Sequence, residues 1–412
     1  MSGEPVQLSV ANFKPNSFII IENKQDQDLF FIIRQGHVKI TSSVQALLKE
    51  NPPILGPGDF FGVIGAMTGH VRNETAVAVD ACSLICVKKS QFGFLIQKNA
   101  PLAMKIIRSY SRDIRNLNQE LARRTTRGAA SEDNPDSLYF VGEYYFQHDL
   151  PQLAAYVFAQ YVRLYPEGNL IGEAKEKLES IPGIDLAKYE PRADFNRVYQ
   201  DGEMIFSEFE PGHELFIIQS GKVKIAKIVN NQELLLAVLD PGSIVGEMAI
   251  LDNKNRTASA IAFGETRLMA VNRANFEKVV IQNVTMATKL ITILSDRIWT
   301  IYKQLANLLI TDPLARLWDT LYTQMLKAHV VIEAKKTYHF AFGPAELLKL
   351  TGLEGPAGEV ALKKLLGHLK LSVRNDKIFC EDISEIKKEV EFALRMQERG
   401  AKLEASKRRV GP

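Results

Sequence analysis

Residues 244–260 read IVGEMAILDNKNRTASA. Gly246-Glu247 stands where a short helical turn is expected to begin, and Arg256-Thr257-Ala258 closes the stretch. A helix start presents unbonded backbone N–H groups and the positive end of the helix dipole, which favour an anion. A glycine lets the ligand approach the backbone, and arginine and threonine side chains donate to phosphate oxygens. An ionised glutamate accepts from a sugar hydroxyl. The stretch predicts a site for a phosphorylated sugar ring, with a glycine turn and a surface Glu–Arg pair as the alternative.

The chain before this stretch alternates short β-rich runs with turn residues. Runs at 204–206, 214–219, 223–228 and 234–239 are separated by Pro-Gly, Ser-Gly and Asn-Asn pairs. Short strands at turn-punctuated spacing indicate an antiparallel barrel or jelly roll. An apolar-periodic helix is predicted to follow, from residue 276 to about 309.

This order of elements resembles the cyclic nucleotide-binding domain. The phosphate cassette of that family is matched at Gly246, Glu247, Met248, Ala249, Arg256, Thr257 and Ala258. The resemblance implies a cyclic nucleotide, cyclic AMP by default, as the ligand, with no other cofactor. It also implies that the base is contacted by residues on the long helix, at Trp299, Thr300, Ile301 and Tyr302. The identity of the base is left open, with cyclic GMP and a cyclic dinucleotide as alternatives.

The first 125 residues repeat the pattern of this domain. FFIIRQGHVKI at 30–40 corresponds to LFIIQSGKVKI at 215–225, and residues 60–76 align without gaps to 244–260. This is duplication of a whole domain. In the first copy Val63 replaces Glu247, and Asn73-Glu74 replaces Thr257-Ala258. A valine cannot accept a hydroxyl bond and a carboxylate repels a phosphate, so the first cassette is predicted to be degenerate. Arg72 is expected to be a surface or ion-pair arginine.

Two helical features accompany the barrels. Residues 100–124 form an amphipathic helix, which in the resembled family is a dimerisation seam. After a polar linker, residues 137–181 resemble a tetratricopeptide-type hairpin, which we interpret as a spacer packed between the two barrels, with a peptide-binding groove as the alternative. The apolar seams of the two long helices predict a homodimer, with a monomer in which the two barrels pair as the alternative.

Residues 312–385 resemble the DNA-binding domain of the Crp/Fnr transcription regulators. Asp312-Pro313 begins a helix, two helices follow at 344–350 and 358–369, and a two-stranded wing is predicted at 372–381. The second helix is expected to bury Leu362, Leu365, Leu366 and Leu369. The candidate DNA contacts are Lys363, Lys364, His368, Lys370, Arg374 and Lys377. Gly358, Glu359, Val360 and Ala361 stand where this family usually carries long polar side chains that read bases, so these six contacts position the duplex without reading it.

Composition sets the remaining expectations. The chain has 412 residues and a net charge of +3, so a surface for nucleic acid must be local. No apolar run approaches the length that spans a bilayer, and the N-terminus lacks the pattern of a signal peptide, which predicts a cytoplasmic protein without a membrane partner. The chain has three cysteines, Cys82, Cys86 and Cys380. Cys82 and Cys86 are expected to be buried, and no cysteine or histidine spacing indicates a metal site. The sequence shows no paired general base and nucleophile, so we expect that the protein is not an enzyme.

Together these features predict an α+β protein in five segments. They are a degenerate first barrel (1–125), a linker and helical hairpin (126–183), a nucleotide-binding barrel with its long helix (184–311), a winged helix-turn-helix (312–385), and a helical or disordered basic tail (386–412). The favoured hypothesis is a nucleotide-responsive transcription regulator of Crp/Fnr type. The alternative is an interaction protein without sequence-specific DNA binding, since tandem barrels also resemble the regulatory subunit of cyclic-nucleotide-dependent kinases.

Overall fold

The chain folds into two compact units that do not follow its order in sequence. A computed structural model describes residues 8–25, 28–48, 51–125, 134–229, 232–252, 254–353 and 355–409. Unit 1 comprises Met1–Leu95, Asp113–Arg127 and Ile291–Pro412, and unit 2 comprises Ile96–Arg112 and Gly128–Leu290. Part of the expected linker, residues 126–133, lies outside the described residues.

The first barrel, in unit 1, is a sandwich of two antiparallel sheets. Its strands are β1 (Ser9–Phe13), β2 (Phe18–Ile20), β3 (Leu29–Gln35), β4 (Val38–Thr41), β5 (Ile54–Leu55), β6 (Phe60–Phe61), β7 (Thr75–Ala78) and β8 (Cys82–Lys88). One sheet has the order β1-β8-β3-β6 and the other β2-β7-β4-β5. Apolar residues from both sheets, including Ile33, Val38 and Leu84, form one core. Cys82 and Cys86 are buried in it, as predicted.

Four helices belong to the first copy of the duplication. They are α1 (Gln45–Leu48), α2 (Val63–Thr68), α3 (Lys89–Lys98) and α4 (Ala100–Thr125). Helix α4 occupies the range predicted from its apolar repeat. Ile106, Ile107 and Ile114 are buried along it.

The helical segment packs on the second barrel, within unit 2. It consists of α5 (Asp136–Gln147), α6 (Pro151–Leu164), α7 (Ile171–Ser180) and a 3-10 turn at Leu186–Tyr189. A Cβ at Gly142 would lie 2.8 Å from the Phe158 ring, so glycine permits the close approach of α5 and α6. Met204 and Ile261 of the barrel share the core of this segment. The Tyr144 hydroxyl accepts the backbone N–H of Glu233 at 3.0 Å.

The second barrel is built on two long, bent strands. Its elements are β9 (Asn196–Tyr199), β10 (Met204–Phe206), β11 (Glu214–Val229), β12 (Gln232–Leu239), β13 (Ile244–Val245), α8 (Glu247–Asp252) and β14 (Ser259–Asn272). The order β10-β14-β11-β12 forms the sheet, with β13 on β11 and β9 on β14. The separate strands predicted at 214–219 and 223–228 are one strand, β11. Its pairing with β14 shifts register around Ser220, next to Gly221 at φ +75°, which bends the strand without ending it.

The helix predicted from residue 276 to 309 is two helices, α9 (Arg273–Gln282) and α10 (Val284–Leu308). The prediction was wrong at Asn283, whose backbone is extended and whose side chain accepts the Met286 N–H at 3.0 Å. An asparagine that caps a new helix start ends the preceding helix, although the apolar period continues through it.

The C-terminal segment, in unit 1, surrounds its own core. Its elements are α11 (Pro313–Lys327), β15 (Tyr338–His339), α12 (Pro344–Thr351), α13 (Pro356–Leu366), β16 (Leu371–Arg374), β17 (Lys377–Cys380) and α14 (Ile383–Arg409). Asp312 caps α11 by accepting the Ala315 N–H at 3.0 Å. Asn375 and Asp376 adopt left-handed backbone, which suits the tight turn between β16 and β17. Cys380 is buried.

One expectation about this segment was wrong. Leu369 was expected in the buried stripe of α13, but α13 ends at Leu366 and Leu369 is 92% exposed. The tail was expected to be helical or disordered, and the structure has the helical form, since α14 runs to Arg409. Among the described residues, no helix is both long and apolar enough to cross a membrane.

Candidate functional site

The site is built around Gly246, which joins β13 to α8 in left-handed backbone at φ +76°. A Cβ there would lie 2.4 Å from the Arg256 guanidinium and 3.1 Å from the Phe206 ring. From the sequence, we attributed the glycine at this position to the close approach of a ligand. In the structure it is a side chain of this chain that comes close, so the position excludes other residues before any ligand binds.

Arg256 lies beneath this turn and is only 6% exposed. Its guanidinium donates to the carbonyl oxygens of Gly246 and Glu214, each at 2.7 Å, and stacks over the Phe206 ring at 4.1 Å. Burial lowers the pKa of Arg256. Nearby charges, among them those of Glu210 and Glu247, act in the opposite direction and raise it. The Nε–H group is buried and has no hydrogen-bond partner among the described residues. The arginine therefore holds the backbone of the cassette through two hydrogen bonds, while its Nε–H donor remains available.

The other cassette residues differ in exposure. Glu247 opens α8 and is 1% exposed, and Ala249 and Ala258 are buried. Met248 is half-buried and Thr257 is exposed. Both Arg256 and Glu247 are buried, and Arg256 satisfies two carbonyl groups. We therefore expect the replacement of either residue to lower the stability of the unliganded protein.

A cavity of about 760 Å³ reaches Arg256 from the side of the helical segment. Tyr156 of α6 and Glu210 line it with Arg256. The Tyr156 hydroxyl donates to Glu210 at 3.0 Å. Burial raises the pKa of Glu210, which the Ser207 N–H and Arg256 oppose. Tyr156 and Glu210 carry no local sequence signal for this site, because only the packing of α6 on the barrel brings them to the arginine.

The first cassette has the same architecture. Arg72 donates to the carbonyl oxygens of Gly62 and Leu29, both at 2.7 Å, which are the counterparts of the two bonds of Arg256. Gly62 also lies at φ +76°. Arg72 is 2% exposed, so its interpretation as a surface arginine was wrong. Conservation of these bonds between the two copies indicates that the arginine holds the turn whether or not a ligand site remains.

Comparison with known families agrees with this duplication. Residues 10–99 and 196–283 each match the family described as the cyclic nucleotide-binding domain. The chain carries two cyclic nucleotide-binding domains. They coincide with the two barrels and their cassettes, so the prediction of a tandem repeat of this domain is confirmed.

Relatives of these domains occur in several kinds of protein. The cyclic AMP receptor protein of Thermus thermophilus is 35% identical over 103 residues, which cover 25% of this chain and 48% of the relative. Human cGMP-dependent protein kinase 2 is 29% identical over 115 residues, covering 27% of this chain and 15% of the kinase. The crystal structure of the Thermus thermophilus catabolite activator protein covers 48% of this chain and 90% of its own, with 24% identity and a TM-score of 0.28. The chain spans about half the length of the bacterial relative that it matches.

The residues expected to contact the base lie on α10. Trp299, Thr300, Ile301 and Tyr302 are in the part of this helix that belongs to unit 1, together with the first cassette. The Trp299 indole N–H donates to the Val71 carbonyl of the first domain at 3.1 Å. Burial raises the pKa of Tyr302, and the charges of Glu74 and Asp113 raise it further. The structure therefore brings Trp299 and Tyr302 to the degenerate cassette.

The candidate DNA contacts lie on α13 and the β16–β17 hairpin. Lys363, Lys364, Lys370, Arg374 and Lys377 are exposed. His368 is half-buried, with its ring edge-to-face against Trp318 at 5.2 Å. Lys370 and Arg374 both approach Glu381, at 3.8 Å and 3.9 Å. Ala357, Glu359 and Val360 form the exposed start of α13. In the described part of the chain, no group of histidine, cysteine or acidic residues is arranged to hold a metal ion.

Proposed function

We propose that this protein is a cyclic-nucleotide-responsive transcription regulator of Crp/Fnr type. In this proposal the second domain binds the nucleotide and the C-terminal segment, as a winged helix-turn-helix, binds DNA. The observation that carries it is the second cassette, where Gly246, Glu247 and Arg256 meet in one turn.

The chemistry of this turn suits a cyclic nucleotide. The buried Glu247 carboxylate at the start of α8 is an acceptor for a ribose hydroxyl. Arg256 keeps a buried N–H donor, and Thr257 adds an exposed hydroxyl, for the phosphate. The two relatives named above, a receptor protein and a protein kinase, are named for cyclic AMP and cyclic GMP respectively. Cyclic AMP is the default ligand of the proposal.

A route from the nucleotide to DNA follows α10. This helix begins in unit 2 and ends in unit 1, where Asn307 donates to the Arg316 carbonyl at 2.9 Å and to Asp319 at 2.8 Å. These bonds join the end of α10 to α11. The nucleotide shifts the arrangement of α10 only if it binds one arrangement more tightly than the other.

The DNA surface would work mainly through phosphates. Five exposed basic side chains and His368 surround α13 and the hairpin. The exposed start of α13 offers alanine, glutamate and valine, of which only Glu359 can hydrogen-bond a base edge. We therefore expect strong salt dependence and modest sequence preference.

The alternative function is a nucleotide-responsive interaction protein without sequence-specific DNA binding. The exposed start of α13 favours it, because Ala357 and Val360 cannot recognise a base by hydrogen bonds. The match to the kinase is compatible with both functions, since it covers only 15% of that protein.

Assembly and location belong to the proposal. The homodimer was expected from the apolar seams of α4 and α10, but Ile107, Ile114, Leu294 and Ile298 are already buried in a single chain. This burial supports a monomer, because these positions need no second chain to cover them. The cytoplasmic location stays a prediction, as do the likeness of the spacer to a tetratricopeptide hairpin and the five segment boundaries.

A gel-shift titration of the full chain against random-sequence duplexes tests the proposal, with and without cyclic AMP. We expect a shift that cyclic AMP strengthens, and the double variant Lys363→Ala/Lys364→Ala should weaken it on every sequence. Lys175→Ala, an exposed lysine on α7, is the matched control and should bind as wild type does. A wild-type chain that binds cyclic AMP in calorimetry but shifts no duplex would favour the alternative.

A further inference from the structure

The first cassette keeps the closed geometry of the second without the residues that would bind a ligand. Val63 has replaced the carboxylate, yet both bonds of Arg72 and the left-handed Gly62 are in place. Four of its residues, Val63, Met67, Arg72 and Asn73, are 5% exposed or less. A turn this buried needs something to satisfy its polar groups.

Glu74 supplies part of the answer. Its carboxyl oxygen Oε1 accepts a hydrogen bond from the backbone N–H of Gly62, the glycine of the turn, at 2.9 Å. The counterpart of Glu74 in the second domain is Ala258, whose methyl group cannot accept a hydrogen bond. The first cassette therefore contains an acceptor of its own at a position where the second has none.

Helix α10 covers the same cassette. Trp299 is fully buried, donates to the Val71 carbonyl at 3.1 Å and stacks on the His70 ring with centroids 3.9 Å apart. His70 Nε2 and Asp296 Oδ1 are 2.8 Å apart. One turn further along, the Lys303 ammonium donates to Asn23 at 2.8 Å. Asn23 in turn donates its backbone N–H to the Arg72 carbonyl at 2.8 Å.

The same cluster reaches the C-terminal segment. The His70 ring also stacks on the ring of His329, which lies just after α11. The centroids of these two rings are 4.5 Å apart, and their planes are 5° from parallel. The three aromatic rings thus join the first domain, α10 and the segment that follows α11. All of them belong to unit 1.

We propose that the first cassette is filled from within and acts as a nucleotide-independent anchor. Glu74 occupies the turn, α10 closes over it through Asp296, Trp299 and Lys303, and His70 holds His329. The first domain thereby stays closed and keeps the C-terminal segment in unit 1 in every ligand state. Only the nucleotide arm of this inference depends on the function proposed above.

Hydrogen exchange on the full chain tests the anchor without any ligand. Peptides covering 60–75 should be protected equally with and without cyclic AMP, whereas peptides covering 244–259 should gain protection only with it. Glu74→Ala should speed exchange at Gly62 about five- to tenfold, because one buried hydrogen bond is lost. Glu74→Gln keeps an acceptor oxygen and should exchange as wild type does. Trp299→Phe keeps a ring but loses the N–H donor, and should speed exchange over 66–73.

Two results of that experiment would overturn the anchor. One is amide hydrogen exchange over residues 60–75 that is as fast as exchange over residues 244–259 in the protein without nucleotide. The other is a gain of protection at 60–75 when cyclic AMP is added, since a filled cassette has no site for it.

A mirror substitution tests the internal acceptor in the second domain. Ala258→Glu introduces the counterpart of Glu74, and we expect it to lower affinity for cyclic AMP at least a hundredfold. Ala258→Gln matches the size without the charge, and should lower affinity about tenfold or less. Wild-type affinity in Ala258→Glu would refute internal occupancy. If the wild type itself binds no cyclic nucleotide, the proposed function fails, while the exchange experiment still decides the anchor.

Discussion

At the scale of single residues, a buried arginine has the same two backbone acceptors in both domains. Arg256 and Arg72 each close a left-handed glycine turn, but only the second turn carries a carboxylate suited to a ribose hydroxyl. Structural and ligand-binding roles of the arginine are therefore separable by comparing the two copies. The cassette pattern alone suggests only the second role.

We expect Arg256→Ala and Arg72→Ala to lower the free energy of unfolding by similar amounts, about 2–4 kcal/mol, because each leaves two buried carbonyl oxygens without a charged donor. Denaturant unfolding without nucleotide measures this. Only Arg256→Ala should also weaken cyclic AMP binding, by roughly ten- to a hundredfold in calorimetry. Equal affinities in wild type and Arg256→Ala would place the ligand elsewhere.

Glu74 predicts a pH dependence of stability. Burial raises its pKa above 4.5, and although the Gly62 N–H and Arg72 oppose this, Asp113 and Glu22 add to it. Because the folded-state pKa lies above the unfolded-state value, the contribution of Glu74 to stability is complete below the unfolded pKa and is lost as pH rises through the folded pKa. The stability of wild type relative to Glu74→Gln should therefore fall as pH is raised from about 4.5 to 8. A difference that grows with pH would show that the carboxyl is stabilised in its charged form.

At the scale of elements, capping and turn residues set where two helices end, which the period of apolar residues did not indicate. The period continues through Asn283 and through Leu369, yet a helix ends before each of them. Asn283 caps α10 with its side chain. Gly367 follows the last residue of α13, so Leu369 falls on the connection to β16 rather than on the helix face.

Leu365→Ala and Leu369→Ala form a matched pair for this difference. Leu365 is fully buried, so its truncation should cost about 2–5 kcal/mol of unfolding free energy. Leu369 is 92% exposed, and its truncation should change stability by no more than about 0.5 kcal/mol. Thermal or urea unfolding of the full chain measures both. Comparable losses in the two variants would mean that Leu369 is covered in solution.

At the scale of the whole molecule, the compact units combine segments that are far apart in sequence. The first barrel, the larger part of α10 (from Ile291) and the C-terminal segment share unit 1, and the helical segment shares unit 2 with the second domain. A fragment of residues 1–125 would lack α10, which covers the first cassette. Binding experiments on the first domain therefore require the full chain.

We expect one cyclic nucleotide per chain, bound in the second domain, because the first cassette carries Val63 and Glu74 in place of a hydroxyl acceptor and an alanine. Calorimetry of the full chain with a panel of cyclic nucleotides gives the stoichiometry. Glu247→Ala should weaken the binding about ten- to a hundredfold, and the matched change Val63→Ala should leave it unaltered. A stoichiometry of two would assign a ligand to the first domain.

The assembly state follows from the burial of the helical seams. Since the apolar positions of α4 and α10 are covered in a single chain, we expect light scattering to give a mass near 46.2 kDa. A mass twice as large would support the homodimer and would require an interface other than these positions. The salt and nucleotide dependence of the mass would then locate it.

The amino-acid sequence by itself determined the duplication, the strand-rich character of both barrels, the cassette, and the capped start of α11 at Asp312. These features depend on local pattern: alternation of apolar residues, turn residues at fixed places, and a cap next to the helix that it starts. Tertiary structure alone decided that Arg256 bonds to backbone, that α6 brings Tyr156 to Glu210, and that Trp299 covers the first cassette. The physical reason is that burial and hydrogen-bond partners depend on segments distant in the chain, and one amphipathic pattern on α10 is compatible with more than one surface to cover it.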